Sequence, residues 1–191
     1  MEEIEVKFLD IDVSTLEEKL TVLGAQSFGK FHYRQSVFDY PDLRLAKDLS
    51  WIRLRDEVDR ITLTFKKRMN VGDNPLLDGG MKEIEVVVDD FKKTEELLQA
   101  MGFKEKFYEE KYRTRYKFDN VECDIDEWPL LPPYLELEGS SYEEIEKVAT
   151  LLGLEWSAHC KCSAMQVFEK YGIDENSFSV LTFETQVKKQ L

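Results

Sequence analysis

The chain has 191 residues, of which 42% are hydrophobic, and its 39 acidic residues against 26 Lys and Arg give a formal net charge of −13. This composition allows one sizeable core, and the negative charge argues against a nucleic-acid surface. The chain has no apolar run near the roughly 18 residues of a membrane span and no signal-peptide pattern at its start. We therefore expect a cytoplasmic protein without a membrane partner, and its three cysteines suggest no disulfide framework.

Strand patterns outnumber helical patterns along the chain. Alternation of apolar and polar residues predicts eight strands, near residues 3–9, 26–40, 50–57, 60–68, 81–90, 103–118, 121–128 and 134–140. Helical spacing predicts helices over residues 14–24, 91–102, 141–153 and 160–171, with a glycine closing each of the first three. Residues 71–80 form the longest loop-like stretch. We expect a single domain over 1–172 and a C-terminal tail of unknown role over 173–191.

Charged residues are segregated by sign on these strands. Successive side chains of a strand point to opposite faces, so nearly every predicted strand has an apolar face and a charged face. The charged faces carry the pairs Glu3 and Glu5, Glu83 and Glu85, Asp124 and Asp126, Glu136 and Glu138, Arg53 and Arg55, and Arg113 and Arg115.

Two arrangements can accommodate these faces. The charges line either one solvated side of an open antiparallel sheet or the inside of a closed sheet, with amphipathic helices packed outside. A dry closed interior would cost several kcal/mol for each buried ion, so a closed sheet must hold water and countercharges. Arginine forks match phosphate oxygens, and clustered carboxylates bind Mg²⁺ or Mn²⁺. A polyphosphate with chelated metal needs both kinds of group.

Several motifs resemble one known family. EIEVK at residues 3–7 resembles the Glu-x-Glu-x-Lys signature of the CYTH superfamily, also called triphosphate tunnel metalloenzymes. The resemblance continues, in the family's order, through VFDYPDLRLAKDLSWIRLR, LTFK, KEIEV, YRTR and DIDEWPLLPPYLELEG. It implies an α+β fold, in which an eight-stranded antiparallel closed β-barrel forms a tunnel with a polar charged interior and amphipathic helices outside.

The resemblance also implies roles for individual residues. It implies metal ligands at Glu3, Glu5, Asp124, Glu136 and Glu138, with Glu83, Glu85 and Asp126 as further candidates. It implies that substrate is bound by Lys7, Trp51, Arg53, Arg55, Lys66, Arg113, Arg115 and Lys161, and that catalysis rests on Glu5, Arg55, Lys66 and Arg115. Trp51 resembles a tryptophan of thiamine triphosphatases and could stack on a substrate ring. The alternative for each charged residue is a place on a solvated sheet face.

The implied activity is hydrolysis of the terminal phosphoryl group of inorganic tripolyphosphate or of an organic triphosphate such as thiamine triphosphate. It would use Mg²⁺ or Mn²⁺, with two ions when substrate is bound. Cyclase members of the family carry a His-Phe pair before the signature, and this chain lacks it. A class IV-type adenylyl cyclase making cyclic AMP from ATP is therefore the first alternative, and a non-catalytic polyphosphate-binding module is the second. The expected partner is a small-molecule triphosphate.

The run His159-Cys160-Lys161-Cys162 contains three residues of types that bind zinc. It lacks the Cys-x-x-Cys spacing and a fourth ligand that structural zinc sites usually have. No zinc site is predicted there.

Overall fold

The computed structural model of the protein describes residues 4–70 and 78–189. Strands β1 to β10 span Ile4–Phe8, Gln26–Asp39, Ser50–Asp56, Ile61–Asn70, Asp78–Val88, Lys104–Phe118, Val121–Glu127, Tyr134–Gly139, Phe178–Leu181 and Gln186–Lys188. Helices α1 to α5 span Val13–Val22, Arg44–Lys47, Phe91–Ala100, Tyr142–Leu151 and Ala164–Lys170. Among the described residues, no helix is long and apolar enough to cross a membrane.

The predicted elements are confirmed to within a few residues. All eight predicted strands are present, and helices α1, α3 and α4 occupy the first three predicted helical segments. The fourth predicted helix begins at Ala164 rather than at residue 160, because Ser163 caps it through a reciprocal capping box with Gln166. Of the predicted loop over 71–80, residues 78–80 belong to β5, and the rest lies outside the described residues.

Helix boundaries follow local chemistry. The carboxylates of Asp12 and Asp90 accept hydrogen bonds from backbone amides in the first turns of α1 and α3. These amides have no partner within the helix itself. After these two helices the chain turns at Gly24 and Gly102, with φ of 79° and 94°. A side chain is disfavoured in this left-handed conformation, so a glycine at each position ends the helix at low cost.

The strands do not form the closed eight-stranded barrel that the family resemblance implied. Their hydrogen-bonded order is β1-β8-β7-β6-β2-β3-β4-β5, and β9 pairs with both β6 and β10. Strands β1 and β5 are the ends of this order, and they are not paired to each other over residues 4–70 and 78–189. The prediction is therefore wrong on closure and on strand number. Alternation specifies the two faces of a strand but not whether the end strands of a sheet meet, and β9 and β10 come from the unassigned tail.

A disulfide joins Cys160 and Cys162. The sequence predicted no disulfide framework. The link spans two positions in sequence and ties no distant segments together, so it is not a framework disulfide. Cys123 is a free, buried cysteine.

The chain divides into two compact units. The first comprises Met1–His32 and Lys111–Ser177, and the second comprises Tyr33–Glu110 and Phe178–Leu191. The long strands β2 and β6 contribute residues to both units. A single functional domain over 1–172 remains a prediction.

The core of the first unit lies between helices and the apolar faces of β1, β7 and β8. Leu20 of α1 and Ile145 of α4 are fully buried there, together with Val6, Ile125 and Leu137 from the strands. Full burial of one such side chain contributes about 1.5–3 kcal/mol. The helices therefore cover the apolar strand faces of this unit and leave the charged residues on the opposite faces.

The core of the second unit is smaller. Phe38 of β2 and Leu54 of β3 are fully buried against Leu98 of α3 and Phe103, which follows that helix. Because Leu54 lies between Arg53 and Arg55 in the strand, its burial directs both arginines to the other face. Packing of one apolar side chain thus orients the arginine pair.

Candidate functional site

An acidic row crosses the first unit. Glu5 of β1 lies directly opposite Glu138 of β8, which lies opposite Glu122 of β7. Directly opposed residues of a sheet share a face, so this register confirms the predicted alternation. Oxygen atoms of Glu5, Glu136 and Glu138 all lie within 4.8 Å of one another. Three carboxylates at this spacing can share one hard divalent cation.

A mixed row runs beside the acidic one. Lys7 of β1 opposes Glu136 of β8, Glu136 opposes Asp124 of β7, and Asp124 opposes Arg115 of β6. Lys7 is 3% exposed, and its Nζ lies 3.0 Å from Glu136 Oε2 and also contacts Glu5. Among the described residues, the ion-pair contacts of Arg115 are long, at 3.9 Å to Asp124 Oδ1 and 3.7 Å to Glu122 Oε2. Its guanidinium is thus the less tightly held of the β6 arginine pair.

Arg113 is the centre of an ion-pair network in the same unit. It donates to Asp126 through Nε and Nη2, at 2.6 and 2.8 Å, and to Glu136 Oε1 at 2.8 Å. Its Nη1 lies 2.7 Å from Asp124 Oδ2. Lys111 adds a second cation, with its Nζ 2.7 Å from Asp126 Oδ2. Three acids are thereby fixed around one guanidinium.

The network sets the protonation of its acids. Burial alone would raise the pKa of Asp126, but the charges of Arg113 and Lys111 hold that pKa below its ordinary value. The same competition lowers the pKa of Glu136, where the charges of Arg113, Lys7 and Lys111 outweigh its desolvation. Both groups are therefore carboxylates at neutral pH.

Asp124 behaves differently from these two acids. Burial raises its pKa to about 6, and the nearby Asp126 and Glu136 charges add to this against the lowering effect of Arg113. Its Oδ1 is buried and has no hydrogen-bond partner among the described residues. Burying a carboxylate oxygen without a partner is costly, so this atom is suited to a cation.

The second unit carries a row with more cations. Arg53 of β3 opposes Thr64 of β4, and Thr64 opposes Glu85 of β5. Thr64 donates to Glu85 Oε2 at 2.7 Å, while Arg53 Nη2 lies 3.9 Å from the same oxygen. Arg53 Nε is buried without a hydrogen-bond partner in the described part of the chain. Burial and the charge of Arg55 lower the pKa of Arg53 to about 9.

The neighbouring row contains Trp51, Lys66 and Glu83, each directly opposite the next. Lys66 Nζ donates to Glu83 Oε1 at 2.5 Å. Burial lowers the pKa of Lys66, and the charge of Arg53 lowers it further. Glu83 and Glu85, which were further metal candidates, thus both pair with cations of this unit.

Arg55 is fixed by residues that the sequence interpretation did not select. Its Nε donates to Gln35 Oε1 at 2.7 Å, and Gln35 in turn donates to the buried Glu109. Arg55 Nη1 lies 3.5 Å from Glu57 Oε1. Gln35 gave no signal, because it is uncharged, and Glu109 shares the face of Arg113 and Arg115 but has no like-charged residue two positions away. The sequence did carry a signal for Lys111, since this residue shares the face of Arg113 and Arg115 on β6.

Glu3 and Lys161 are the remaining predicted site residues. Glu3 lies outside the described residues. Lys161 is exposed, and its Nζ lies 4.0 Å from the centre of the Tyr142 ring. The residue before it, Cys160, pairs with Lys7, so Lys161 points away from the face that carries the Lys7 side chain.

The first unit fits a divalent metal. Its acidic groups supply oxygen atoms, the ligand type that Mg²⁺ and Mn²⁺ prefer. Glu5, Glu136 and Glu138 are close enough to share an ion, and Asp124 has a buried unsatisfied oxygen on the adjacent strand. Glu136 and Asp126 are ionised at neutral pH through their cation contacts. This donor set matches a hard cation and lacks the soft sulfur ligands that favour zinc.

Comparison with known proteins places the chain in a family. The CYTH domain family matches residues 1–178. A Methanocaldococcus jannaschii protein named as a candidate adenylate cyclase is 31% identical over 150 residues, which are 77% of this chain and 82% of that protein. The chain belongs to the CYTH domain family. Members of this family are metal-dependent enzymes, and triphosphatases and adenylyl cyclase-like proteins are among them.

Solved structures share the fold. The PH1012 protein of Pyrococcus horikoshii is 25% identical with a TM-score of 0.64, and the match covers 87% of this chain and 99% of that one. A candidate adenylyl cyclase from Hippeastrum, whose structure is described with a dominant triphosphatase activity, has a TM-score of 0.62 at 17% identity. That match covers 88% of this chain and 95% of the Hippeastrum chain, and it shows the fold alone.

Proposed function

We propose that the protein is a divalent-metal-dependent triphosphatase. Its substrate would be inorganic tripolyphosphate or an organic triphosphate such as thiamine triphosphate, from which it hydrolyses the terminal phosphoryl group. The observation that carries this proposal is the placement of Glu5, Glu136 and Glu138 within 4.8 Å of one another, with Lys7 in contact with two of them. A metal triphosphate needs both carboxylate ligands for its metal and cations for its phosphate oxygens.

Mg²⁺ or Mn²⁺ would be held by Glu5, Glu136 and Glu138, with Asp124 as a further ligand. When bound, such an ion neutralises phosphate charge and supplies an activated water. Glu3 is proposed as a ligand on the family resemblance alone.

Phosphate oxygens would contact Lys7, Arg113 and Arg115 in the first unit. Arg115 is the best placed of these to change partners, because its contacts to Asp124 and Glu122 are 3.7 Å or longer. Its guanidinium can turn towards a phosphate without losing a short ion pair. Arg113 is already held by three acids, so it would act as a fixed positive charge.

Arg53, Arg55 and Lys66 are proposed as phosphate-binding residues of the second unit. Arg53 has an unsatisfied buried Nε, and an anion would restore its hydrogen bonding. Burial lowers the pKa of both Arg53 and Lys66, and a bound phosphate would favour their charged forms. Trp51, opposite Lys66, is proposed to stack on an organic substrate.

Asp126 is proposed as a positioning residue rather than as the general base. Both of its oxygens accept hydrogen bonds from Arg113, and Lys111 contacts one of them. A carboxylate with both oxygens engaged and a lowered pKa is a poor proton acceptor. Catalysis would then rest on positioning and charge stabilisation.

Adenylyl cyclisation is the second candidate, because the relative in Methanocaldococcus jannaschii carries a cyclase name. Cyclisation and hydrolysis attack different phosphorus atoms of ATP, so their products separate them: cyclic AMP with pyrophosphate, or ADP with phosphate. A non-catalytic polyphosphate-binding module would release neither set.

The test measures phosphate release from tripolyphosphate, thiamine triphosphate and ATP with Mg²⁺ or Mn²⁺, and cyclic AMP from ATP. We expect release of phosphate from at least one substrate. Removing one group that stabilises transition-state charge commonly costs about 100-fold or more in kcat. Glu136→Gln and Arg55→Gln should each lose activity on that scale.

Matched controls are available on the surface. Glu146→Gln and Arg44→Gln make the same chemical changes at exposed positions and should keep normal turnover. Mn²⁺ titration followed by calorimetry gives a second readout, in which Glu136→Gln should weaken binding and Glu146→Gln should not. Cyclic AMP as the main product would favour cyclisation, and normal activity in both site variants would refute the proposed residues.

A further inference from the structure

The segment that carries Cys160 is fixed to the strand of Glu5 and Lys7. Lys7 donates its amide to the Cys160 carbonyl at 2.9 Å, and the Cys160 amide donates to the Lys7 carbonyl at 2.9 Å. Cys160 is also linked to Cys162 by the disulfide. The disulfide is therefore attached to a residue, Cys160, whose backbone is hydrogen-bonded to Lys7 of the candidate site.

The disulfide lies where a small molecule can reach it. Both cysteines are half-buried, and they line a surface cavity of about 510 Å³ with Lys161, Gln166, Glu169 and Lys170. Thiol–disulfide exchange requires such access, since a thiolate must approach one sulfur. The two lysines of the cavity bring positive charge, which stabilises a thiolate, against one glutamate.

Because the two cysteines are close in sequence, their disulfide contributes little to the stability of the fold. A disulfide stabilises a fold mainly by restricting the unfolded chain, and the restriction grows with the length of the closed loop. Here the sequence separation is two, so the link restricts little. Disulfides that are exposed and stabilise little are typically the labile ones.

Cys123 provides an internal contrast. It is fully buried in the core of the first unit. A thiol in this state is unreactive towards external thiols, because exchange requires access to its sulfur. Reactivity should therefore be confined to Cys160 and Cys162.

We propose that Cys160 and Cys162 form a reversible thiol–disulfide site that exchanges with low-molecular-weight thiols such as glutathione. In reduction, an external thiolate attacks one cysteine sulfur, the bond between the cysteines breaks, and a mixed disulfide forms. A second external thiolate then displaces the protein thiolate. Two electrons and two protons reach the protein, and the two external thiols leave as one disulfide. Oxidation by glutathione disulfide follows the reverse path.

The experiment equilibrates the native 191-residue chain across ratios of reduced to oxidised glutathione. Samples are quenched with acid, unfolded, alkylated with N-ethylmaleimide and weighed intact by mass spectrometry. We expect reversible conversion between a species with three alkylated cysteines and a species with one. Cys123→Ser should convert between two and none, while Cys160→Ser and Cys162→Ser should form no internal disulfide.

Three results would overturn the proposal. They are a pair that keeps one state at every glutathione ratio, an oxidised species that carries glutathione in place of the internal bond, and loss of the conversion in Cys123→Ser. None of these readouts depends on metal binding or turnover. The outcome is therefore independent of the proposed triphosphatase activity.

Discussion

Arg113 and Asp126 form a doubly hydrogen-bonded ion pair, with Nε donating to Oδ1 at 2.6 Å and Nη2 donating to Oδ2 at 2.8 Å. Asp126 is fully buried, and it also accepts from Lys111. The pair fixes the plane of the guanidinium, so its remaining contacts fall on Asp124 and Glu136. Through Arg113, the buried Asp126 thus positions Asp124 and Glu136, which are two of the candidate metal ligands.

Replacing Asp126 with Asn should strongly destabilise the protein. The substitution keeps the shape but removes the buried carboxylate charge that both Lys111 and Arg113 contact. Breaking a buried ion pair by removing one partner costs about 3–5 kcal/mol. Urea unfolding followed by circular dichroism measures this loss. Asp119→Asn is the matched control: Asp119 is exposed and forms an ion pair with exposed Lys147, so a change below about 1 kcal/mol is expected.

Asp124 should give the apoprotein a specific pH dependence. Its pKa is raised to about 6 in the fold from 3.8. Between these values the folded state holds a proton that the unfolded state has lost, so this group's contribution to stability falls as pH rises. Over the whole range, this contribution to the free energy of unfolding falls by about 3 kcal/mol, at about 1.4 kcal/mol for each pKa unit.

The variant Asp124→Asn isolates this effect, because an amide does not titrate. The lowered pKa values of Asp126 and Glu136 act in the opposite direction at lower pH, and they are common to both proteins. As pH rises from 4 to 6, the free energy of unfolding of the variant should therefore increase relative to that of the wild type. A difference that stays constant over this range would contradict the raised pKa.

Divalent metal should stabilise the fold. Binding to the native state alone raises the free energy of unfolding by about 2.7 kcal/mol at a metal concentration 100 times the Kd. Thermal unfolding should shift upward with Mn²⁺ and return after chelation. The shift should shrink in Glu138→Gln and persist in Glu146→Gln; an equal shift in both would place the metal elsewhere.

Reduction of the Cys160–Cys162 disulfide should loosen the backbone pairing of Cys160 with Lys7 of β1. The amides of Lys7 and Cys160 are each protected by a hydrogen bond to the backbone carbonyl of the other residue. Hydrogen exchange of these two amides should quicken in the reduced protein, while the amides of Leu137 and Ile125 in the core should keep their rates. Unchanged exchange at Lys7 and Cys160 would show that β1 holds this pairing without help from the disulfide.

Alternation in the sequence was sufficient to predict the faces of the strands. The register confirms that Arg53 and Lys66 lie on the polar side while Leu54 is buried, and the same holds for Glu136 and Leu137. These positions follow from local geometry, since the side-chain period of a strand is two. The metal candidates Glu5, Glu136 and Glu138 were likewise predicted and are close together.

Pairing between strands could not be predicted in the same way. The contact of Arg113 with Asp126 depends on the register of β6 against β7, and the contact of Arg55 with Gln35 depends on β2 against β3. Register is a tertiary property that alternation leaves undetermined. Strand β10 has three residues, which is below the four at which alternation can be recognised, and β9 has four residues, FSVL, that do not strictly alternate.

The most direct test of the central claim is phosphate release from inorganic tripolyphosphate by the purified protein, with and without Mg²⁺. The account predicts turnover that requires the metal, falls about 100-fold or more in Glu136→Gln, and is unchanged in Glu146→Gln. The account would be contradicted by metal-independent turnover, by an active Glu136→Gln variant, or by no phosphate release from tripolyphosphate, thiamine triphosphate or ATP.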